Sequence, residues 1–315
     1  MRRRAALAGL LLGGGLAGSL ALLPLSAGAQ AAAQSTAPAD PRVLKILVPF
    51  AAGGAQDVMA RHIAPRLAAR TGLTVVVENR AGAGGLLAAD AVAKAGPDAP
   101  LLLMATGGAI SIAPHLHAKL PYDPRTDLQP LTLVADTPMT LAVRADSPLR
   151  TLADLVREAR ARPGQLSYGS TGQGTVSHLA GALLAQAAGI DLLHVPYKGA
   201  APALTDLLGG QIGAVVMSAA SVDPMADAGK LRVLGTFSRS HLASLGNPPT
   251  VAEALKLPGL EVPVWVGLLA PARLPAYQAR RLADALLAVC RQDDTRQAFA
   301  ALGATTTCAG PAELG

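Results

Sequence analysis

Residues 43–60 read VLKILVPFAAGGAQDVMA. The opening VLKILV is rich in branched side chains and too short for a buried helix, so it reads as a strand covered on both faces. The strand is expected over residues 43–50. The pair Gly53-Gly54 then turns the chain, and Val58, Ile63 and Leu67 recur near helical spacing to about residue 71. The same unit of strand, glycine turn and helix returns. Residues 74–78 are followed by Asn79-Arg80-Ala81-Gly82-Ala83-Gly84-Gly85 and a helix to about residue 95, and residues 101–106 by Gly107-Gly108. Alternation of this kind specifies parallel strands with helices over the sheet, an α/β fold.

Residues 131–143, LTLVADTPMTLAV, hold two apolar runs split by Asp136-Thr137-Pro138, which suits a strand passing from one domain to another. Beyond it the unit resumes. A strand at 166–168 leads through Gly169-Ser170-Thr171-Gly172-Gln173-Gly174-Thr175 into a helix at 177–188. A strand at 192–195 leads through Pro196-Tyr197-Lys198-Gly199 into a helix at 201–208. Strands at 212–217 and 231–237 follow and lead the chain back; a strand at 265–269 and a helix at 276–291 complete the first domain. The predicted layout places 43–137 and 236–315 in one lobe and 138–235 in the other, with a cleft between them.

Composition narrows the function classes. The 315 residues are 51% hydrophobic, only 3% aromatic and 15% charged. This excludes a disordered chain and a nucleic-acid surface built on stacked rings, and two cysteines cannot make a disulfide scaffold. The net charge of +6 includes Arg2, Arg3 and Arg4, which precede an apolar run and Ala27-Gly28-Ala29. That order predicts a secretory signal peptide over 1–29, followed by a flexible Ala/Pro-rich segment over 30–42. Without the three arginines the charge is +3, too weak to imply nucleic acid or a membrane as partner. Export also brings Cys290 and Cys308 into an oxidising compartment, where a bridge between them is allowed.

Several loops place glycine directly before a helix: 53–57, 82–85, 170–175 and 197–200. Backbone N–H groups and the positive helix end then face one point, an arrangement that binds anions. In open α/β sheets ligands bind beyond the carboxyl ends of the strands, where these loops gather. Glycines needed only for tight turns are the alternative reading of each loop. Asp57 likewise admits two roles, ligand contact or a first-turn acid that holds N–H groups. The enzyme motifs are missing. There is no G-x-x-x-x-G-K-[ST] and no H-E-x-x-H, and Gly169-Ser170-Thr171-Gly172 is not a G-x-S-x-G elbow. His115 and His117 lack a third metal ligand nearby. A pairing of Ser170 with His178 has no acid to orient the imidazole.

The stretches KILVPFAAGGAQDVMAR, VVVENRAGAGG, KLPYDP, LSYGSTGQGTVSHLAG, HVPYKGAAPALTDLLGGQI, AGKLRVLGT and GLLAPARLP run in order from about residue 43 to 302. Together they resemble the Bug-type substrate-binding proteins of tripartite tricarboxylate transporters. The resemblance implies a two-lobed periplasmic binding protein of type II, each lobe a mainly parallel sheet flanked by helices, closing on a small organic acid. It implies no catalytic residue, metal or cofactor. Carried onto this chain, it puts Phe50, Ala51, Gly53, Gly54, Ala55, Gln56, Asp57, Gly82 and Thr106 in one wall of the cleft. Ser170, Thr171, Gly172, Gln173, Thr175, Tyr197 and Met217 fall in the other. Many relatives carry an aspartate where this chain has Met217, and its absence speaks against an amino-acid ligand. Gln56 stands where threonine is common, and Asp98-Ala99-Pro100 replaces Asp-Gly-Tyr. Relatives also commonly run a few tens of residues past the position of Gly310-Pro311, whereas this sequence stops at Gly315. The expected role is capture of a dicarboxylate, tricarboxylate or aromatic acid by a monomeric receptor that hands it to membrane permease subunits. Docking of the closed protein on a sensor kinase ectodomain is the second reading.

Overall fold

The computed structural model describes residues 42–257 and 259–314. The leader expected at 1–29, and the flexible segment up to residue 41, lie outside them. The first strands and helices follow the predicted units: β1 (Val43–Val48), α1 (Ala55–Thr71), β2 (Thr74–Asn79), α2 (Leu86–Ala93), β3 (Leu101–Ala105) and the short α3 (Ala113–Leu116). Then comes β4 (Leu128–Arg144), a single strand of 17 residues. After it come α4 (Leu152–Ala161), β5 (Ser167–Ser170), α5 (Val176–Ala188), β6 (Leu193–Pro196), α6 (Ala200–Leu208), β7 (Ala214–Ser218), α7 (Ala219–Asp227) and β8 (Leu231–Thr236). The chain ends with α8 (Val251–Leu255), β9 (Pro263–Pro271), α9 (Ala276–Cys290), α10 (Asp293–Ala300), β10 (Thr305–Ala309) and α11 (Pro311–Leu314). Among the described residues no helix is long and apolar enough to cross a membrane.

Strand β4 joins two sheets. Its first half pairs antiparallel with β9 and β10, and β3 and β1 continue that sheet to β2. Its second half pairs antiparallel with β7 and β8, and β5 and β6 continue the other sheet. The parallel pairs are the outer ones: β1 with β2 and β3, and β5 with β6 and β7. At the changeover Pro138 of β4 lies opposite Pro263 of β9. Neither residue has an N–H, so the ladder loses donors just where one sheet gives way to the other. The polar residues of β4 are satisfied across the seam. Thr132 Oγ1 donates to Ala309 O (2.9 Å), Thr140 Oγ1 donates to Met217 O (3.0 Å), and Thr137 Oγ1 accepts from Ala220 N (3.3 Å).

Alternation along each strand sorts side chains to opposite faces. Leu44, Ile46 and Val48 of β1 meet Met59, Ile63 and Leu67 of α1, while Leu47 joins Leu103 and Val92 on the other face. In the second sheet Leu141, Val143, Ala214 and Val216 face one way, and Ala142, Val215 and Met217 the other. Phe237, Val251 and Val264 belong to the same cluster as Leu141 and Tyr168. The chain therefore keeps packing on the second sheet beyond residue 236, where the return to the first lobe was expected, until β9 begins.

Local signals set the helix ends. Thr151 and Asp154 form a capping box on α4, Thr175 caps α5 through His178 N, and Gly72 and Gly189 close α1 and α5 in the left-handed conformation. Cys290, at the end of α9, and Cys308, on β10, form a disulfide across 18 residues with Cα atoms 5.5 Å apart. Closing a loop of this length removes about 3 kcal/mol of chain entropy from the unfolded state. Reduction of the denatured protein is therefore expected to expose two additional thiols. The urea midpoint of a Cys290→Ala/Cys308→Ala variant should fall by a corresponding amount; equal thiol counts with and without reductant would remove the bridge.

Candidate ligand-binding cleft

The carboxyl ends of β1, β2 and β3 face those of β5, β6 and β7, and the loops from the two sheets touch. Ala51 N donates to Lys198 O at 2.8 Å. Gly84 (φ 64°) lies so close to the other wall that a Cβ there would sit 2.5 Å from Gln173 O, and one on Gly199 (φ 146°) would sit 2.8 Å from Ala51 N. Glycine is required at both positions by close approach as well as by backbone conformation.

The first wall is organised from behind by Asp57. Its carboxylate is buried and accepts from Gly53 N (2.9 Å), Arg61 Nε (3.0 Å) and Asn79 Nδ2 (2.9 Å), while Asn79 Nδ2 also reaches Phe50 O (3.1 Å). Burial alone would raise its pKa, but the hydrogen bonds from Arg61, Gly53 and Asn79 outweigh it and hold the carboxyl below its ordinary value. Through Gly53 and Asn79, Asp57 holds the 50–54 loop in shape. The N-cap of α1, Gly54, has no side chain to accept from the first turn, which leaves N–H groups there for a guest.

The second wall is a web of hydroxyls. Ser177 Oγ accepts from Thr171 N (2.9 Å) and bonds Thr171 Oγ1 (2.9 Å) and Thr175 Oγ1 (3.1 Å); Thr175 Oγ1 donates to Gly172 O (2.7 Å). Ser170, fully buried, accepts from Gly172 N (3.1 Å). Its imidazole partner is His194 rather than His178: Ser170 Oγ and His194 Nε2 are 2.6 Å apart. His178 instead stacks on His194 with ring centroids 4.1 Å apart, and its Nδ1 accepts from Gly174 N (3.3 Å). Burial, then the neighbouring His178, pushes His194 down to about 4, and burial lowers His178. Two neutral rings therefore brace the 170–175 loop from behind. Tyr197 donates its hydroxyl to Asp206 Oδ2 (2.7 Å) on α6, and Tyr197 N bonds Ser170 O (3.1 Å).

Between the walls lies a narrow cavity of about 20 Å³, space for about one water, lined by Phe50, Gln56, Thr106, Met139, Thr171, Thr175, Val176, Ser177, Ser218, Ser221 and Val264. A neighbouring space of about 220 Å³ is lined by Phe50, Gly82, Thr171, Gly172, Gln173, Tyr197 and Lys198 among others. Of the expected residues, Ala51, Gly53, Gly54, Ala55, Asp57, Ser170 and Met217 line neither space, and Met217 points away from the cleft altogether. It is fully buried between α6 and α7 with Leu204 and Val222, because strand alternation turns it away from the cleft; its place is taken by the next residue, Ser218. Ser218, Ser221, Met139, Val176, Ser177 and Val264 were not foreseen. Counting alternate residues along β7 to the strand's very end would have pointed to Ser218. Among the described residues no cluster of three metal-ligating side chains occurs.

Residues 59–307 match the model of the tripartite tricarboxylate transporter family receptor. The chain belongs to this family. It is similar in structure to the periplasmic binding protein BugD, with 35% identity, 86% of this chain and 91% of the other covered, and a TM-score of 0.82. It is also similar to MatC from Rhodopseudomonas palustris with bound malate (32%, 84% and 89%, TM-score 0.79) and to a protein of R. palustris with adipate (31%, 86% and 90%, TM-score 0.80). The family is one of receptors, and the contact of the buried Ser170 with His194 lies behind the 170–175 loop.

The imidazole pair gives a pH dependence with a definite sign. Because His194 is lowered from 6.5 to about 4 in the fold, the unfolded chain binds its proton first. The stability contributed by the neutral ring is full above about 6.5 and is lost as pH falls towards 4. The Tm difference between wild type and His194→Gln should therefore shrink from pH 7 to pH 5, and a constant difference would exclude this coupling.

Proposed function

We propose that the protein is an exported, monomeric receptor that closes on a small organic carboxylate and delivers it to the membrane permease subunits of a tripartite tricarboxylate-type transporter. The observation that carries this reading is the facing of glycine-rich, helix-leading loops from two sheets across a cavity whose lining holds no carboxylate. Backbone N–H groups at helix N-termini hold anions without a charged side chain. The ligands named for two relatives, malate and adipate, are both dicarboxylates.

On this reading, residues 43–137 with the C-terminal part of the chain form one lobe and 138–235 the other, and the hinge lies where Pro138 meets Pro263. The contacts of Ala51 with Lys198 and of Gly84 with Gln173 hold the lobes together when a ligand supplies the remaining energy. The ligand-binding set is Phe50, Ala51, Gly53, Gly54, Ala55, Gln56, Gly82, Thr106, Thr171, Gly172, Gln173, Thr175 and Tyr197, with the buried Ser170 supporting the 170–175 loop. Asp57 acts on it from behind. The leader over residues 1–29 directs the chain to the periplasm.

Thermal denaturation against a panel of organic acids tests the reading. A ligand at 100 times its Kd raises stability by about 2.7 kcal/mol, and a panel that leaves Tm unmoved would overturn it. For any acid that binds, Gly84→Val should weaken affinity tenfold or more by pressing a side chain against the Gln173 carbonyl, measured by calorimetry, while the variant still unfolds cooperatively.

A further inference from the structure

The cavity is unusual in its charge. Phe50, Met139, Val176 and Val264 give it apolar surface, and Gln56, Thr106, Thr171, Thr175, Ser177, Ser218 and Ser221 give it neutral polar surface; no ionisable side chain lines it. Three helices of eight or more residues begin at it. Gln56 is in the first turn of α1, Thr175 caps α5, and Ser218 is the N-cap of α7. Each helix start carries a partial positive charge of about half a proton. The acid in the first turn of α1, Asp57, is paired with Arg61 and tied to Gly53 and Asn79. Positive partial charges therefore surround the space with no negative group to balance them.

At the α7 end, Ser218 is buried and its side chain caps no N–H. Its Oγ lies 3.2 Å from Ser221 Oγ. Two hydroxyls carry two donors, and their mutual hydrogen bond uses one, so an O–H donor remains available beside the helix end. A ligand oxygen finds a partner there. An ammonium finds lone pairs only, against the positive end of α7, and would be desolvated without a counter-charge.

We propose that Ser218 and Ser221 determine specificity: they receive the oxygen-bearing far end of an organic acid and exclude ligands that carry an ammonium group. The cargo class is then non-amino organic acids, hydroxy and dicarboxylic acids included. The inference rests on the carboxylate-receptor reading above, with the first carboxylate held by the loop N–H groups.

The test is calorimetry on the full exported protein with three matched pairs of probes: malate and aspartate, adipate and 2-aminoadipate, 3-phenyllactate and phenylalanine. The expected result is that at least one acid binds and that its Kd is at least tenfold lower than that of its amino counterpart. Ser218→Asp should reverse this ratio by weakening the acid and admitting the ammonium. Ser221→Asp, at a half-buried position, gives the same reading should Ser218→Asp fail to fold. Amino acids that bind as tightly as their partners would overturn the specificity assignment and leave the receptor standing. Binding by none of the six probes would overturn both. An unchanged ratio in a folded aspartate variant would remove the two serines from the role.

Discussion

The backbone ladder of β4 is the constraint on which the rest of the structure depends. One strand of 17 residues hydrogen-bonds to β9 and β10 over its first half and to β7 and β8 over its second, so both sheets take their register from a single chain. A one-residue slip would turn every side chain of β4 to the wrong face. Thr132, Thr137 and Thr140 help to hold the register, because each is buried and bonded to a backbone group of a partner element. The ladder is weakest where Pro138 faces Pro263.

The cleft follows from this arrangement. Sharing β4 brings the carboxyl ends of β1 to β3 opposite those of β5 to β7, and each of these strands feeds a turn or a helix start. The walls then obtain their polarity from backbone N–H groups and hydroxyls. A charged side chain in so small a space would need its own counter-charge. Asp57 shows how the protein uses a charge instead: buried behind the loop, matched by Arg61, and engaged with backbone. The His178–His194 stack does similar work on the facing wall with two neutral rings.

The repeated unit of strand, glycine turn and helix was legible because its elements are local: six-residue apolar runs, glycines before helices, and caps such as Thr151 and Thr175. The loops at 50–57, 82–85 and 170–175 were found for the same reason. Ser218 and Ser221 were missed and Met217 was put in their place, since a single residue of error at a strand end exchanges the cleft for the core. A pairing of Ser170 with His178, eight residues away, fails in the sequence for want of an acid; the imidazole that bonds Ser170 is His194 on the adjacent strand. Parallel pairing of β5 with β6 sets Ser170 opposite Pro196, and spacing along the chain does not show that.

By itself the sequence determined the α/β class, the repeated strand and helix units, the glycine-rich helix starts and the family resemblance, because each depends on residues a few positions apart. Only the tertiary structure decided which loops face one another, that β4 serves both sheets, that Phe237 to Val264 pack on the second sheet, and that the cavity lining holds no ionisable side chain. Those features arise from contacts between residues tens to hundreds of positions apart, set by strand pairing and the packing of buried faces, which local patterns do not encode.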